Sequence, residues 1–532
     1  ACGPRMPRAR CPWLVAAALA ACAALASARL RKEDDSHVDT LSSVHPTELP
    51  CLNPAKRAKV DFPPSLLLGG GAKPVMYSGY VNVTEQDFLF YWFAEAQSGA
   101  GPDAPLIVWS NGGPGCSAME GMTTEHGPLI LFGVRDEGGT FPGKLSENPY
   151  SWNRNAHVLY VDQPRYVGYS CGTGPSVTSS EGVGKDFVAF LRGWTRLFPE
   201  HSRRDLILAS ESYGGRYVAA WYAAMAEYNS RASDEERLTT TGIILGNGFV
   251  DEAAQGYSFT EFARRQGLIP AHSAPTSSKQ AREMIAKNLG YQPNYYDYRL
   301  REKECCGCSS YNYKTWGDWL LREDVAKALN VCGDAGTKAF GGCAAGCISL
   351  PDFDKDSSFD AKEAMSQALE DGVKVTLYYG MQDTACNYVG GYALAASLRW
   401  QGSSAFKKAP FEDLAIGGMD IGKLKSGGGL TYMQVDGAGH MVPVNNPAAA
   451  TFAIGTLLPP AASAHCPEQG DASHVQGKSA LQPLRHLLSA PVSEHVPAAG
   501  VAAVVALVGV VAATLAAVLR REARRSTAEQ DL

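Results

Sequence analysis

The segment Ser210-Glu211-Ser212-Tyr213-Gly214-Gly215 sets a serine between a carboxylate and small residues, directly after the apolar run Leu206-Ile207-Leu208. A nucleophile projecting from a strained strand-to-helix turn tolerates little bulk around it, so the pattern makes Ser212 a candidate nucleophile at an elbow of the G-x-S-x-G type. Ser210 stands here where such elbows usually have their first glycine. A serine hydroxyl is a weak nucleophile at its own pKa; it needs a base, and the base needs a third group to fix its tautomer. Gly437-Ala438-Gly439-His440-Met441-Val442-Pro443 holds a histidine between small residues and a proline, which suits an exposed and rigid loop. Asp383 closes the stretch Gly380-Met381-Gln382-Asp383. Taken singly, a loop histidine or a strand-end aspartate is more often structural. Together with Ser212 they offer nucleophile, base and orienting carboxylate.

The elements that must position these residues are also legible. Val373 to Tyr379 reads as a buried strand by its β-branched and aromatic content, and it delivers Asp383 at its C-terminal end. Leu430 to Val435 reads as the strand before His440. Tyr77 to Val83 and Phe88 to Glu95 look like an opening antiparallel pair, and strands at Ile107, Val158, Leu206, Ile243 and Val375 alternate with helical stretches such as Gly184 to Leu197. That alternation predicts an α/β fold with a mostly parallel twisted sheet flanked by helices. The tract Asp251 to Asp352 interrupts it and is expected to be a cap inserted over the cleft. The core then divides into 77–250 and 353–460, preceded by a lead-in, 29–76. The order Ser212, Asp383, His440 is the chain order of α/β-hydrolase triads.

The chain resembles the serine carboxypeptidases, the acidic exopeptidase branch of the α/β-hydrolases. The resemblance rests on Trp109 to Ser117, Glu125 to Pro128, Asn148 to Asn153, Ser210 to Gly215, Leu245 to Gly248, Asp383 to Asn387 and Gly437 to Pro443, in family order from roughly Tyr77 to Pro459. It implies an oxyanion hole from the backbone N–H groups of Gly113 and Tyr213. It also implies that Asn111, Glu125 and Glu211 bind the free α-carboxylate of a peptide C-terminus, in a fold without cofactor. Two carboxyl groups forced together cannot both ionise cheaply, so one keeps a proton and can donate to that carboxylate; activity in mildly acidic medium is expected. The family usually has glycine where Tyr166 stands, which suggests a reshaped substrate cleft. Cys386 matches members with a cysteine close to the active site, and Met441 is a candidate for the leaving-residue pocket; both are equally at home as core filler. The same acyl-enzyme can pass its acyl group to an alcohol, so acyl transfer stands beside hydrolysis as a reading. A tethered binding module without activity is the third, and it predicts broken catalytic positions.

Composition agrees with a globular enzyme. The 532 residues are 45% hydrophobic and 19% charged, with a formal net charge of -6 and no basic patch interleaved with aromatics, so nucleic acid is not an expected partner. A metal is not expected either, because the cysteine cluster lacks spaced histidines. Arg5, Arg8 and Arg10 before the apolar run Trp13 to Leu25 and the small residues Ala26-Ser27-Ala28 read as a signal peptide, 1–28. The uncharged stretch 497–519 is long enough at ~1.5 Å per residue to cross a bilayer core of ~30 Å. Arg520, Arg521, Arg524 and Arg525 follow it, which predicts a type I membrane protein with a lumenal enzyme, a stalk at 461–496 and a cytosolic tail at 520–532. Cys116, Cys305, Cys306, Cys308, Cys332, Cys343 and Cys347 are disulfide candidates in such a compartment. The resemblance ties Cys116 to the region of Cys343 and Cys347. Asn82-Val83-Thr84 is a glycosylation sequon.

Overall fold

The computed structural model describes residues 56–68, 74–97, 103–131, 143–302, 313–332, 350, 353 and 359–459. The expected signal peptide, stalk, membrane span and tail lie outside them, as do Cys305, Cys306, Cys308, Cys343 and Cys347. Among the described residues no helix is long and apolar enough to cross a membrane.

The strands are β1 (Ala58–Lys59), β2 (Met76–Asn82), β3 (Asp87–Ala94), β4 (Leu106–Ser110), β5 (Leu129–Leu131), β6 (Leu145–Glu147) and β7 (His157–Val161). They continue with β8 (Cys171–Gly172), β9 (Leu206–Glu211), β10 (Thr240–Gly246), β11 (Lys374–Gly380), β12 (Glu412–Ile416), β13 (Met419–Gly427) and β14 (Leu430–Val435). All but β5 and β6 form one sheet, in the order β1-β2-β3-β7-β4-β9-β10-β11-β14-β13-β12, with β8 on β3. From β7 to β14 the neighbours run parallel, and the flanks are antiparallel. Strands covered on both faces read as continuous apolar runs, and β4, β7 and β9 are buried at every residue. The opening hairpin and each parallel strand expected from the sequence are present. The β12/β13 hairpin was not expected.

One face of the sheet packs Phe187 and Trp194 of the helix Ser180–Leu197 and Tyr217 and Trp221 of the helix Gly214–Asn229. The other face holds Trp109, Trp152, Tyr160, Trp316 and Met433. The tract expected as a cap adds no strand to the sheet among its described residues, and it divides in two. Its first part, through the helices Phe259–Arg265 and Ser278–Leu289, ends over the loops of Asp383 and His440: Tyr298 N–H donates to Gln382 O (3.1 Å) and His440 N–H to Tyr296 O (2.8 Å). Its second part packs elsewhere. Trp316 Nε1 donates to Thr123 Oγ1 (2.8 Å), and Ser78 Oγ of β2 donates to Leu329 O (2.6 Å). Asn82 is exposed at the end of β2.

Candidate active site

Ser212 follows β9 with φ +56°, a left-handed conformation that non-glycine residues rarely hold. Its N–H donates to Gly246 O (3.0 Å), and its carbonyl accepts from Phe249 N–H (2.7 Å) and Gly215 N–H (3.0 Å). The small neighbours are required. A Cβ on Gly214 would stand 1.7 Å from Ser210 Oγ, and one on Gly112 would stand 2.7 Å from Tyr213 N and from Gly214 N. The Gly112-Gly113 backbone therefore lies directly against the elbow, with Gly113 itself at φ +110°. Ser210, in the place of a glycine, donates its hydroxyl to Ser110 O and ties β9 to β4. Asp162, buried after β7, accepts from Ser117 Oγ (2.6 Å), Ala118 N–H (2.8 Å) and Tyr169 N–H (2.9 Å) and so anchors the glycine turn. Burial pushes its carboxyl up to about 6, against the pull of these hydrogen bonds.

His440 and Asp383 meet at 2.6 Å between Nδ1 and Oδ2, both side chains buried. Asp383 also accepts from Ala385 N–H (2.7 Å), Cys386 N–H (3.1 Å) and Asn247 Nδ2 (2.8 Å). Asn247 is held at φ +42°, and its Oδ1 accepts from Gly380 N–H (3.1 Å). The Tyr296 ring lies 4.7 Å from the imidazole, centroid to centroid. Asn247, Tyr296 and Asp162 were not among the expected site residues. The thiol of Cys386 lies beside the hydroxyl of Ser212, and among the described residues no hydrogen bond joins that hydroxyl to His440. Catalytic hydrogen bonds often tighten only in the substrate complex. Cys386 is a free cysteine, and burial, then the Asp383 charge, pushes its thiol well above its ordinary range.

Beside the elbow, Asn111 Nδ2 donates to Glu211 Oε1 (2.9 Å) and Glu125 Oε1 (3.3 Å). The amide is oriented by Trp109 Nε1 (2.7 Å) and Gly121 N–H (3.2 Å), both donating to its Oδ1. Glu125 ends the π-helical turn Gly121–Glu125, and its carboxyl meets that of Glu211 at the shared amide of Asn111. All three side chains are buried. Burial, and then the charges of Glu125 and Glu120, hold the Glu211 carboxyl well above the usual range. Glu120, buried one residue before the turn, is a further carboxylate that the sequence reading did not single out.

Other expected positions fall as follows. Tyr166 has φ +71°, and its hydroxyl donates to Asp87 Oδ1 (2.8 Å) and to Gly174 O, beside the ion pairs of Arg165 with Asp87 (2.9 Å) and Asp186 (2.7 Å). None of these bonds reaches the Asp383–His440 pair. Met441 is buried between His440 and the helix Val442–Asn445. Cys116 and Cys332 are disulfide-bonded, and so is Cys171.

A family model described as "Serine carboxypeptidase" matches residues 69–292 and 280–458, most of the chain. The chain belongs to the serine carboxypeptidase family. It is similar to carboxypeptidase Y homolog A of Arthroderma otae, 31% identical over 430 residues covering 74% of this chain and 75% of that protein. Carboxypeptidase Y homolog A of Fusarium vanettenii is 32% identical over 429 residues, with the same coverage. Among solved structures, the prohormone-processing carboxypeptidase Kex1(delta)p of Saccharomyces cerevisiae superposes with a TM-score of 0.59 at 23% identity, covering 75% of this chain and 94% of that one. At that identity the likeness bears on the fold, and it supports an α/β-hydrolase architecture for this serine carboxypeptidase.

Proposed function

We propose that this member of the family removes single residues from the C-termini of peptides in acidic medium, with Ser212, His440 and Asp383 as its triad. The observation that carries this reading is the cradle of Asn111, Glu125 and Glu211, which ends one residue before the nucleophile. An α-carboxylate accepting from Asn111 Nδ2 and from the protonated member of the glutamate pair lies beside the elbow. The scissile carbonyl, one residue further in, then falls at Ser212. Ser212 Oγ bonds to the carbonyl carbon as its proton passes to His440 Nε2, and the N–H groups of Gly113 and Tyr213 hold the oxygen that gains the charge. The C–N bond breaks as His440 returns the proton to the leaving amine. Water then attacks the acyl-enzyme by the same route, freeing Ser212. Asp383, fixed by Asn247 and two backbone N–H groups, keeps the imidazole in the tautomer this needs.

The disulfides of Cys116, Cys171 and Cys332 support an oxidising compartment. With 497–519 and its flanking arginines, they favour a lumenal enzyme on a type I anchor. The test is a pH-resolved digest of a peptide library by the full-length protein beside its Ser212→Ala variant, reading the residues released. Single C-terminal residues should appear at acidic pH and vanish in the variant. Absence of Ser212-dependent release at any pH would sink the peptidase reading and put acyl transfer first.

A further inference from the structure

Glu211 of β9, Gly246 of β10 and Tyr378 of β11 stand in one row across three neighbouring strands. Residues paired in this way project from the same face of a sheet. Glycine in the middle leaves the row open, and the phenol of Tyr378 crosses it: a Cβ on Gly246 would stand 2.6 Å from Tyr378 Oη. The ring therefore runs from β11 over β10 toward the carboxyl of Glu211. Tyr378 is 1% exposed, and among the described residues its hydroxyl has no hydrogen-bond partner. Leaving a buried hydroxyl unpaired costs stability, so a core with no use for it would favour phenylalanine. Burial, and then the charges of Glu125 and Glu211, hold this phenol in its protonated form, which leaves it a donor.

We infer that Tyr378 is a positioning residue for the α-carboxylate cradle: a small turn of its phenol, whose hydroxyl is unpaired as it stands, brings it to donate to the Glu125–Glu211 pair and steadies the ionised carboxylate while the other carboxyl keeps the shared proton. The inference rests on the role proposed above for that pair. The other titratable groups facing it act differently. Glu120, just before the turn of Glu125, repels the pair, and burial holds the Cys386 thiol in its neutral form. Tyr160 of β7 has its hydroxyl taken by His126 Nδ1 (3.0 Å), and burial holds that imidazole neutral. Tyr378 is thus the donor in this group with its hydrogen still to place.

A donor to the pair stabilises the doubly ionised state more than the singly ionised one, so it lowers the pH at which the shared proton leaves. Tyr378→Phe should then raise KM about 2- to 10-fold at acidic pH, the loss of one ordinary hydrogen bond. It should also move the alkaline limb of the KM profile upward while kcat stays within about twofold. The measurement is kcat and KM against pH for the full-length protein, Tyr378→Phe, Glu211→Gln and the double variant. With Glu211 already replaced, the Tyr378 substitution should shift the limb no further. An unshifted limb in the single variant, or an equal shift in both backgrounds, overturns the inference. Should the phenylalanine variant fail to fold, fluorotyrosine at position 378, a stronger donor, must move the limb downward; an unmoved limb again overturns it. Failure of the peptidase reading is recognised separately, as absence of Ser212-dependent release from the unmodified protein. An infrared titration of the protonated carboxyls with and without Tyr378→Phe then decides the inference on its own, an identical titration counting against it.

Discussion

Strand β7 carries His157 at its first residue and gives way at once to Asp162, and burial has acted on these two ends in opposite senses. At the start of the strand, His157 Nδ1 accepts from Ala96 N–H (3.1 Å) and His201 Nδ1 accepts from Arg204 Nε (2.9 Å), with the two rings 4.4 Å apart. Burial, then the neighbouring His201, pushes His157 down to about 3; burial, then Arg204, pushes His201 down to about 4. At the other end Asp162 is pushed up to about 6, and Glu211 lies well above the usual carboxylate range. A histidine with a depressed folded pKa contributes stability that is whole above ~6.5 and is lost as pH falls toward the folded value. A carboxyl with a raised folded pKa contributes stability that is whole below ~4 and is lost as pH rises through the folded value. The difference teaches that the acid preference proposed for the site meets an opposing acid sensitivity one strand length away. Between ~4 and ~6 both contributions change, in opposite senses, so they offset each other and stability should vary little with pH across mildly acidic medium.

That contrast can be broken from either end. The largest effect is expected at the histidines. His157→Gln keeps an acceptor for Ala96 N–H but cannot take a proton, so the stability lost between pH 6.5 and 4, on the order of 3 kcal/mol for this group, should largely disappear. Denaturant unfolding at both pH values measures it, and an equally steep acid loss in the variant would remove His157 from the account. The activity profile should stay where it was, since His157 is remote from Ser212. Next in size, Glu211→Gln leaves a side chain that cannot ionise. KM should rise about 10- to 100-fold at acidic pH, as for loss of a charge-assisted hydrogen bond, and its alkaline limb should flatten. A limb that persists unchanged would place the titrating group elsewhere. The smallest change should come from Glu120→Gln: with one repelling charge removed, the pair releases its proton more readily. The same limb should move down by less than about one pH unit. A shift upward contradicts the proposed field.

The elbow was legible because its steric demand is written into adjacent residues. Gly112 and Gly214 are small since their Cβ positions are already filled by Tyr213 N and Ser210 Oγ. The glutamate pair was legible only through resemblance, because a single Glu125 or Glu211 reads as an ordinary solvated side chain. Asn247 was not legible: an asparagine before a glycine at a strand end reads as a turn, and the carboxylate it steadies lies 136 residues away. Tyr296 sits in a Tyr-Tyr-Asp-Tyr stretch with no periodicity to mark it. The β12/β13 hairpin did carry a signal, Gly417-Gly418 with both φ values positive, between two short strand-forming runs. Tyr166 shows the opposite failure. The departure from glycine was visible, but its hydroxyl serves Asp87 and Gly174, a tertiary pairing that spacing cannot reveal.

The hold of Tyr296 on His440, through a carbonyl on the backbone N–H and a ring beside the imidazole, means that a tract far from the triad in sequence carries part of the general base's support. Drift at 294–298, or grafting of that stretch from a relative, should therefore be felt in turnover even where Ser212, Asp383 and His440 are all kept.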